Sequence, residues 1–324
     1  MKQVSGRFKS AKAVTVMAAF TLVSGMVPLA RAEEPALNNK AFSFFGAGYE
    51  FIQYKETVPV PFGAEDIELS VDFGNPVQRS GGYIPFREKH GLYIVSSATL
   101  KPNTAAETWS YPGLGPIQTD DAKFSWYELD VAAAYHLKPG HHVTVGADYY
   151  TLNFTRFNFQ SASGTDAFNT DVATVATGGR TIDQWVAAGN DARTYPGLRP
   201  ENNLSTVIEN VSSLALMVGY RYDSFFSNPQ SPWRFAGGVR AGLPLYYQVE
   251  NTQTPGVEFA SYLDSGYDLG ADASLAWNFH HNFSVIGRVD CNYKKRNSVS
   301  VGTMSVPEND VLSVQSTLGL NWAF

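Results

Sequence analysis

The chain is short of several things. It has one cysteine, Cys291, so neither an intramolecular disulfide nor a cysteine-based metal site can form in the monomer. Charged residues make up only 17%, which argues against a disordered chain, a coiled coil or a nucleic-acid binder. Beyond the N-terminus there is no run of roughly 20 apolar residues, and the mean hydropathy is −0.18, so a bundle of membrane helices is excluded. Basic residues are outnumbered, 24 against 30 acidic. What is plentiful is aromatic side chains, at 14%, together with 28 glycines. That leaves a β-rich protein, either soluble or a membrane barrel.

Residues 1–32 are set apart from the fold. Lys2, Arg7, Lys9 and Lys12 precede the apolar run Ala13 to Ala30, and Ala30-Arg31-Ala32 has the small-x-small form of a leader-peptidase site. The segment is read as a cleaved secretory signal, with 33–324 as a single domain. Its removal leaves 19 basic against 30 acidic residues, a formal charge of −11. An acidic exported chain is poorly suited to nucleic acid.

From about Ala41 onward the sequence alternates with period two in segments of roughly ten residues, as spanning strands do. In the clearest segment Tyr267, Leu269, Ala271, Ala273, Leu275, Trp277 and Phe279 share one face, and Asp268, Gly270, Asp272, Ser274 and Asn278 the other. Tyr267 and Trp277 lie ten residues apart on the apolar face. Phe283 and Tyr293 repeat the spacing in reverse order on the next segment. Ten residues of tilted strand project to roughly 23 Å, close to the apolar band between the aromatic girdles of a membrane barrel. Short connections at Leu137 to Gly140, Ser227 to Pro232 and His280 to Asn282 alternate with longer ones at 161–208, 251–261 and 298–309.

The expectation is therefore an all-β, antiparallel up-and-down transmembrane barrel with long extracellular loops and periplasmic termini. Ten strands are expected, at 41–55, 80–88, 92–101, 123–137, 142–158, 209–224, 233–250, 262–279, 283–297 and 310–324. The span 56–122 is the weak part, because Pro59, Pro61, Pro76 and Pro85 interrupt it; eight strands is the alternative. The loop at 161–208 either folds over the mouth or projects outward.

If the apolar face meets lipid, the other face lines the lumen. By parity it carries Glu128, Asp130, Asp148, Arg221, Asp223, Arg240, Asp272, Arg288 and Asp290, with Glu50, His136, Asp268, Lys294 and Arg296. Both signs are interleaved, so the groups are expected to neutralise one another in a plugged polar core. A narrow charged conduit or ligand pocket is the alternative. The histidines fall in or beside the predicted periplasmic turns, where hydration is favoured over a metal site, and no cofactor is implied. There is no Gly-x-Ser-x-Gly elbow and no His-Glu-x-x-His.

At the C-terminus Leu312, Val314, Leu318, Leu320, Trp322 and Phe324 alternate to the last residue. This resembles the closing strand of Gram-negative outer-membrane proteins. The resemblance implies an outer-membrane location, contact with lipid and lipopolysaccharide, and recognition of Trp322 and Phe324 by the barrel-assembly machinery. The ten-strand layout with a glycine-rich lumen and tall loops also resembles omptins, over most of the mature chain and weakly from Trp109 through Asp121 to Val131. Omptin-like catalysis uses an Asp-x-Asp pair and an Asp-x-His dyad. Here Asp120 and Asp121 are adjacent and should point to opposite faces, and Asn251-Thr252-Gln253-Thr254 offers no histidine, so no catalytic residue carries over. The expected function is a monomeric, non-enzymatic surface protein whose loops meet an external partner. A narrow channel and a rim hydrolase are the alternatives.

Overall fold

The structure, a computed structural model, describes residues 40–60, 65–191, 206–263, 265–280, 282–302 and 304–324. The signal segment expected at 1–32 lies outside the described residues. The chain divides into Met1–Ala36 and Leu37–Phe324, and the second unit holds the fold.

Among the described residues fourteen strands follow one another: β1 (Phe42–Val58), β2 (Ile67–Arg87), β3 (His90–Thr99), β4 (Thr104–Tyr111), β5 (Gly115–Lys138), β6 (His141–Ser161), β7 (Thr206–Asp223), β8 (Trp233–Asn251), β9 (Glu258–Ser261), β10 (Gly266–His280), β11 (Phe283–Arg296), β12 (Val299–Val301), β13 (Met304–Val306) and β14 (Glu308–Ala323). Ten of them, β1-β2-β3-β5-β6-β7-β8-β10-β11-β14, form an antiparallel ring that closes through β14 onto β1. The other four belong to the loop end. β4 sits between β2 and β5 above the end of β3, β9 extends the loop edge of β8, and β12 pairs with β13 in a small hairpin.

Closure is tight. Gly46 faces Gly319 across the β1–β14 ladder, and a Cβ on Gly319 would lie 2.2 Å from the Phe45 carbonyl oxygen, so only glycine allows the strands this close.

Ten strands is the observed count, not eight. The span 56–122 differs from expectation in extent: the second strand starts at Ile67 instead of residue 80 and carries Pro76 in its interior. The Pro76 carbonyl accepts from Leu100 N–H (2.9 Å), so the edge of Pro76 that lacks a donor faces the place where β3 has just ended at Thr99. The one bond forgone, the reciprocal donation towards Leu100, falls just past the end of the β2–β3 ladder, which is why a proline is tolerated there. Pro85 sits beside a bulge at the periplasmic turn into β3.

The long strands reverse their facing chemistry part-way up. On β5 the outward residues are Tyr127, Leu129, Val131, Ala133, Tyr135 and Leu137 in the lower half, but Thr119, Asp121, Lys123 and Ser125 above. The inward ones run from His136, Asp130 and Glu128 below to Trp126, Phe124 and Ala122 above. β1 does the same, with Phe45, Tyr49 and Phe51 outward low down and Lys55 and Thr57 outward above. The cause is the solvent. Twenty-four tilted residues of β5 span about 55 Å, and the hydrocarbon covers only about 25 Å of it. Where lipid surrounds the wall, apolar groups face out; above it, water does, and the barrel packs like a soluble one.

The apolar band bears Trp233 and Trp277 at the periplasmic edge, 46% and 49% exposed, whereas Trp126 is buried inside. Trp322 shares that face, opposite Phe283, so in bilayers of brominated lipid Trp233→Phe, Trp277→Phe and Trp322→Phe together are expected to abolish most of the quenching of tryptophan emission, and Trp126→Phe to leave it nearly unchanged. Equal loss in both would place the band elsewhere.

Candidate functional site: the charged lumen

The lumen is built in layers. At the periplasmic end, Phe42 and Phe44 of β1, Tyr83, Tyr93 and Ala134 pack against Phe226, which a short 3-10 turn, Ser224–Phe226, carries back into the barrel. Asp223 starts that turn by accepting from Phe225 N–H (3.0 Å), and it also takes Arg234 Nε at 2.8 Å. His136 and His142 belong to this layer. Their rings are 4.7 Å apart, and the Tyr83 and Tyr93 hydroxyls lie 2.7 and 2.8 Å from their Nε2 atoms. Both are buried: His136 lies on the inner face where parity places it, and His142 departs from the expectation of a hydrated turn residue. Inward parity on β5 and β6 puts them under Phe226 instead of in the turn between those strands. His281 lies outside the described residues.

Above this floor the charges meet. Of the fourteen residues placed inside by parity, Glu128, Asp130, Asp148, Arg221, Asp223, Arg240, Asp272, Arg288 and Asp290 line the lumen and each joins an ion pair. One chain of contacts runs Arg79–Asp290 (3.0 Å), Asp290–Arg288 (2.9 Å), Arg288–Asp272 (3.4 Å) and Asp272–Arg221 (2.8 Å). A second centres on Lys294, whose ammonium lies 2.6 Å from Asp148 and 3.0 Å from Glu128, and Glu128 is 3.7 Å from Arg240. Arg240 also reaches Asp130, and Arg296 clamps Asp268 with contacts of 2.5 and 3.0 Å. Glu50 is held without a cation, by Ser313 (2.5 Å), Gln315 (2.9 Å) and Trp126 Nε1 (3.1 Å).

The third layer is apolar. Ile52, Tyr54, Phe73, Phe124, Trp126, Tyr150, Phe154, Tyr247 and Phe259 fill the lumen where the outside of the wall turns polar. Above them Arg156 stands among carboxylates: Glu56 at 2.5 Å, Glu107 at 2.7 Å and Glu209 at 3.6 Å, with its guanidinium 4.1 Å from the Phe154 ring centre. Asp120, opposite Glu107 on the β4–β5 ladder, faces the same cluster. Burial first, and then the negative charge of Glu107, holds its carboxyl well above the usual range. Asp121 turns outward to Asn158 Nδ2 (2.7 Å), so the two aspartates face apart as the alternation requires. The loop after β6 caps this end. Thr165 Oγ1 donates to the Ile117 carbonyl (2.5 Å), and Phe168 is buried with Ile67, Leu69 and Ile117. Of the two expectations for 161–208, the part at 162–168 folds over the mouth; 192–205 lies outside the described residues.

The same ring is found in a known protein. The outer-membrane protease OmpT of Escherichia coli superposes with a TM-score of 0.60 at 9% identity, over 90% of this chain and 99% of that one. The fold is that of an outer-membrane β-barrel. OprG of Pseudomonas aeruginosa (TM-score 0.34, 10% identity, 88% and 96% covered) and the neisserial surface protein NspA (0.30, 11%, 90% and 100%) are also matched. No protein-family model matches the sequence, and no curated protein matches it. The barrel has the omptin-like ten-stranded layout. Residues 251–254 bring no histidine to its rim.

Sequence reading missed Arg79, Arg234 and the whole Arg156 cluster. Arg79 fell in the proline-interrupted span. Glu56, Glu107, Arg156 and Glu209 belong to strand extensions above the membrane band, and a signal for them exists in the length of β5 and β6, 24 and 21 residues, more than a bilayer requires.

Proposed function

We propose that the protein is a non-conducting, non-enzymatic outer-membrane surface protein whose extracellular loops meet external partners. One observation carries this reading: the lumen is closed in succession by the Phe226 layer, the ion-paired layer and the aromatic layer, each made of side chains that are mostly buried. In a ten-stranded barrel the side chains occupy most of the interior, and here the charges are spent on one another. The carboxylates of the rim are buried beside Arg156 and the loop cap, which supports the non-enzymatic part. The chain reaches the membrane through a cleaved signal at 1–32, Trp322 and Phe324 are read by the barrel-assembly machinery, and lipid with lipopolysaccharide surrounds the wall.

Planar-bilayer recording tests the reading. Purified protein is expected to insert without discrete conductance steps. Steps that diminish in Arg240→Ala or Arg288→Ala would replace it with a narrow charged conduit.

A further inference from the structure

Strand β2 differs from the rest of the wall where it meets lipid. Between Asp72 above the band and Ile84 and Phe86 at the periplasmic edge, its outward residues are Gly74, Pro76, Gln78, Ser80 and Gly82. None is a branched aliphatic or aromatic side chain. Each of the other nine ring strands turns at least two such side chains towards the lipid, as β1 does with Phe45 and Phe51 and β14 with Leu318 and Leu320. The facing of Gln78 is fixed by its neighbours Val77 and Arg79, both buried inside. Its height is fixed by the register: it pairs with Ala47, which lies between the exposed Phe45 and Tyr49 on β1. The Gln78 amide therefore stands in hydrocarbon.

The polar groups on this face are unequally provided for. Ser80 and Ser96, directly opposite on β3, satisfy one another across 3.0 Å. Gln78 has Ala47 and Ala98 as its cross-strand neighbours, whose side chains offer neither donor nor acceptor, and its amide has no partner among the described residues. Acyl chains can fill the trough left by the small side chains, but they cannot hydrogen-bond, and an unsatisfied amide in hydrocarbon is costly. Glutamine also lacks the long stem by which lysine and arginine reach the interface. A carboxamide carries both donor and acceptor, so it is complementary to itself. A two-fold axis along the membrane normal through the trough sets the amide against its own counterpart in an isologous contact with two reciprocal N–H···O bonds. Charge agrees above the bilayer. Lys55 on β1 and Glu68 and Asp72 on β2 are exposed on the same side of the wall, and none joins an ion pair among the described residues. A face bearing both signs can meet a copy of itself, cation to carboxylate.

We propose that the lipid-facing wall at β1, β2 and β3 is the interface of a homodimer in the membrane, organised around reciprocal Gln78 amide bonds. Two copies take the place of the single copy expected from the sequence. The interface does not depend on the surface-protein reading, because association and conductance are separate measurements.

The test uses full-length protein refolded in neutral detergent. Sedimentation equilibrium is expected to show a reversible monomer–dimer equilibrium. Gln78→Leu, a side chain suited to a lipid-facing position, should weaken association by about tenfold or more. Gln78→Asn, which keeps the carboxamide, should retain most of it. Heat modification on gels checks that each variant is folded. A second measurement, in isolated outer membranes, reads the facing directly and leaves Gln78 intact. With Cys291→Ser in every variant, Ala47→Cys should be cross-linked to a dimer by a short apolar bifunctional thiol reagent. Val239→Cys, exposed on β8 across the ring, should not. Wild-type protein that stays monomeric, association unchanged by Gln78→Leu, or cross-linking at residue 239 as strong as at residue 47 would each overturn the assignment.

Discussion

Arg156→Met is expected to lower the stability of the barrel by about 3–5 kcal/mol, the usual cost of removing one partner from a buried ion cluster. Three glutamates lie within 3.6 Å of its guanidinium and Asp120 stands beside them. With the cation gone, buried carboxylates would be left without compensation. The extracellular half should loosen first, since β4 holds its place between β2 and β5 with Glu107 pointing into the cluster. Urea unfolding in detergent, or the midpoint of heat modification, measures the loss; a change below about 1 kcal/mol, the worth of a surface pair, would refute the account.

The defect should depend on pH with a definite sign. Burial raises the Glu209 carboxyl, Arg156 pulls it back, and Glu56 and Glu107 push it up again; in the variant the restraining influence is lost. A carboxyl whose folded pKa exceeds its unfolded value stabilises the fold fully below about pH 4 and loses that contribution as the pH rises through the folded value. The gap between Arg156→Met and wild type should therefore shrink as the pH falls towards 4. Asp120 follows the same rule in the wild-type protein: its raised pKa means that stability declines as the pH climbs from about 4. Asp120→Asn, which keeps the neutral form, should remove that slope.

Lys294→Met should cost a similar amount, about 3–5 kcal/mol. Its ammonium lies 2.6 Å from Asp148, 3.0 Å from Glu128 and 3.9 Å from Asp268, with the side chain almost fully buried. Much of the cost reflects the charges left behind, not the worth of the pairs, so the double variant Lys294→Met with Asp148→Asn should recover a large part of it. A double-mutant cycle reads this as strong coupling. Additive losses would mean that Lys294 and Asp148 do not act as a unit, and the picture of a mutually neutralised lumen would fail.

Much of this was legible in the residues. Alternation is local, so Tyr267 to Phe279 announced a strand and its facing without reference to anything else, and the aromatics ten residues apart announced the height of the lipid band. Parity alone placed Asp148, Arg240 and Asp290 in the lumen. The strand at Ile67–Arg87 was illegible in its first half, because whether Pro76 is tolerated depends on where its neighbour β3 stops, which is not a property of the proline. His142 was misread for a similar reason: the residue that buries it, Phe226, lies more than eighty positions away in a different turn.

The sequence by itself determined a secretory leader pattern, period-two strands with an apolar outer face, a terminal aromatic, and a lumen rich in both charges. Tertiary structure decided which charges touch and where the lumen closes. Partner choice inside a barrel joins strands that lie far apart in the chain, as Lys294 and Asp148 do, and it depends on register and stagger around a closed ring, which no local pattern encodes. The reversal from lipid-facing to water-facing packing along one strand was likewise decided in three dimensions, because the bilayer ends at a height and not at a residue type.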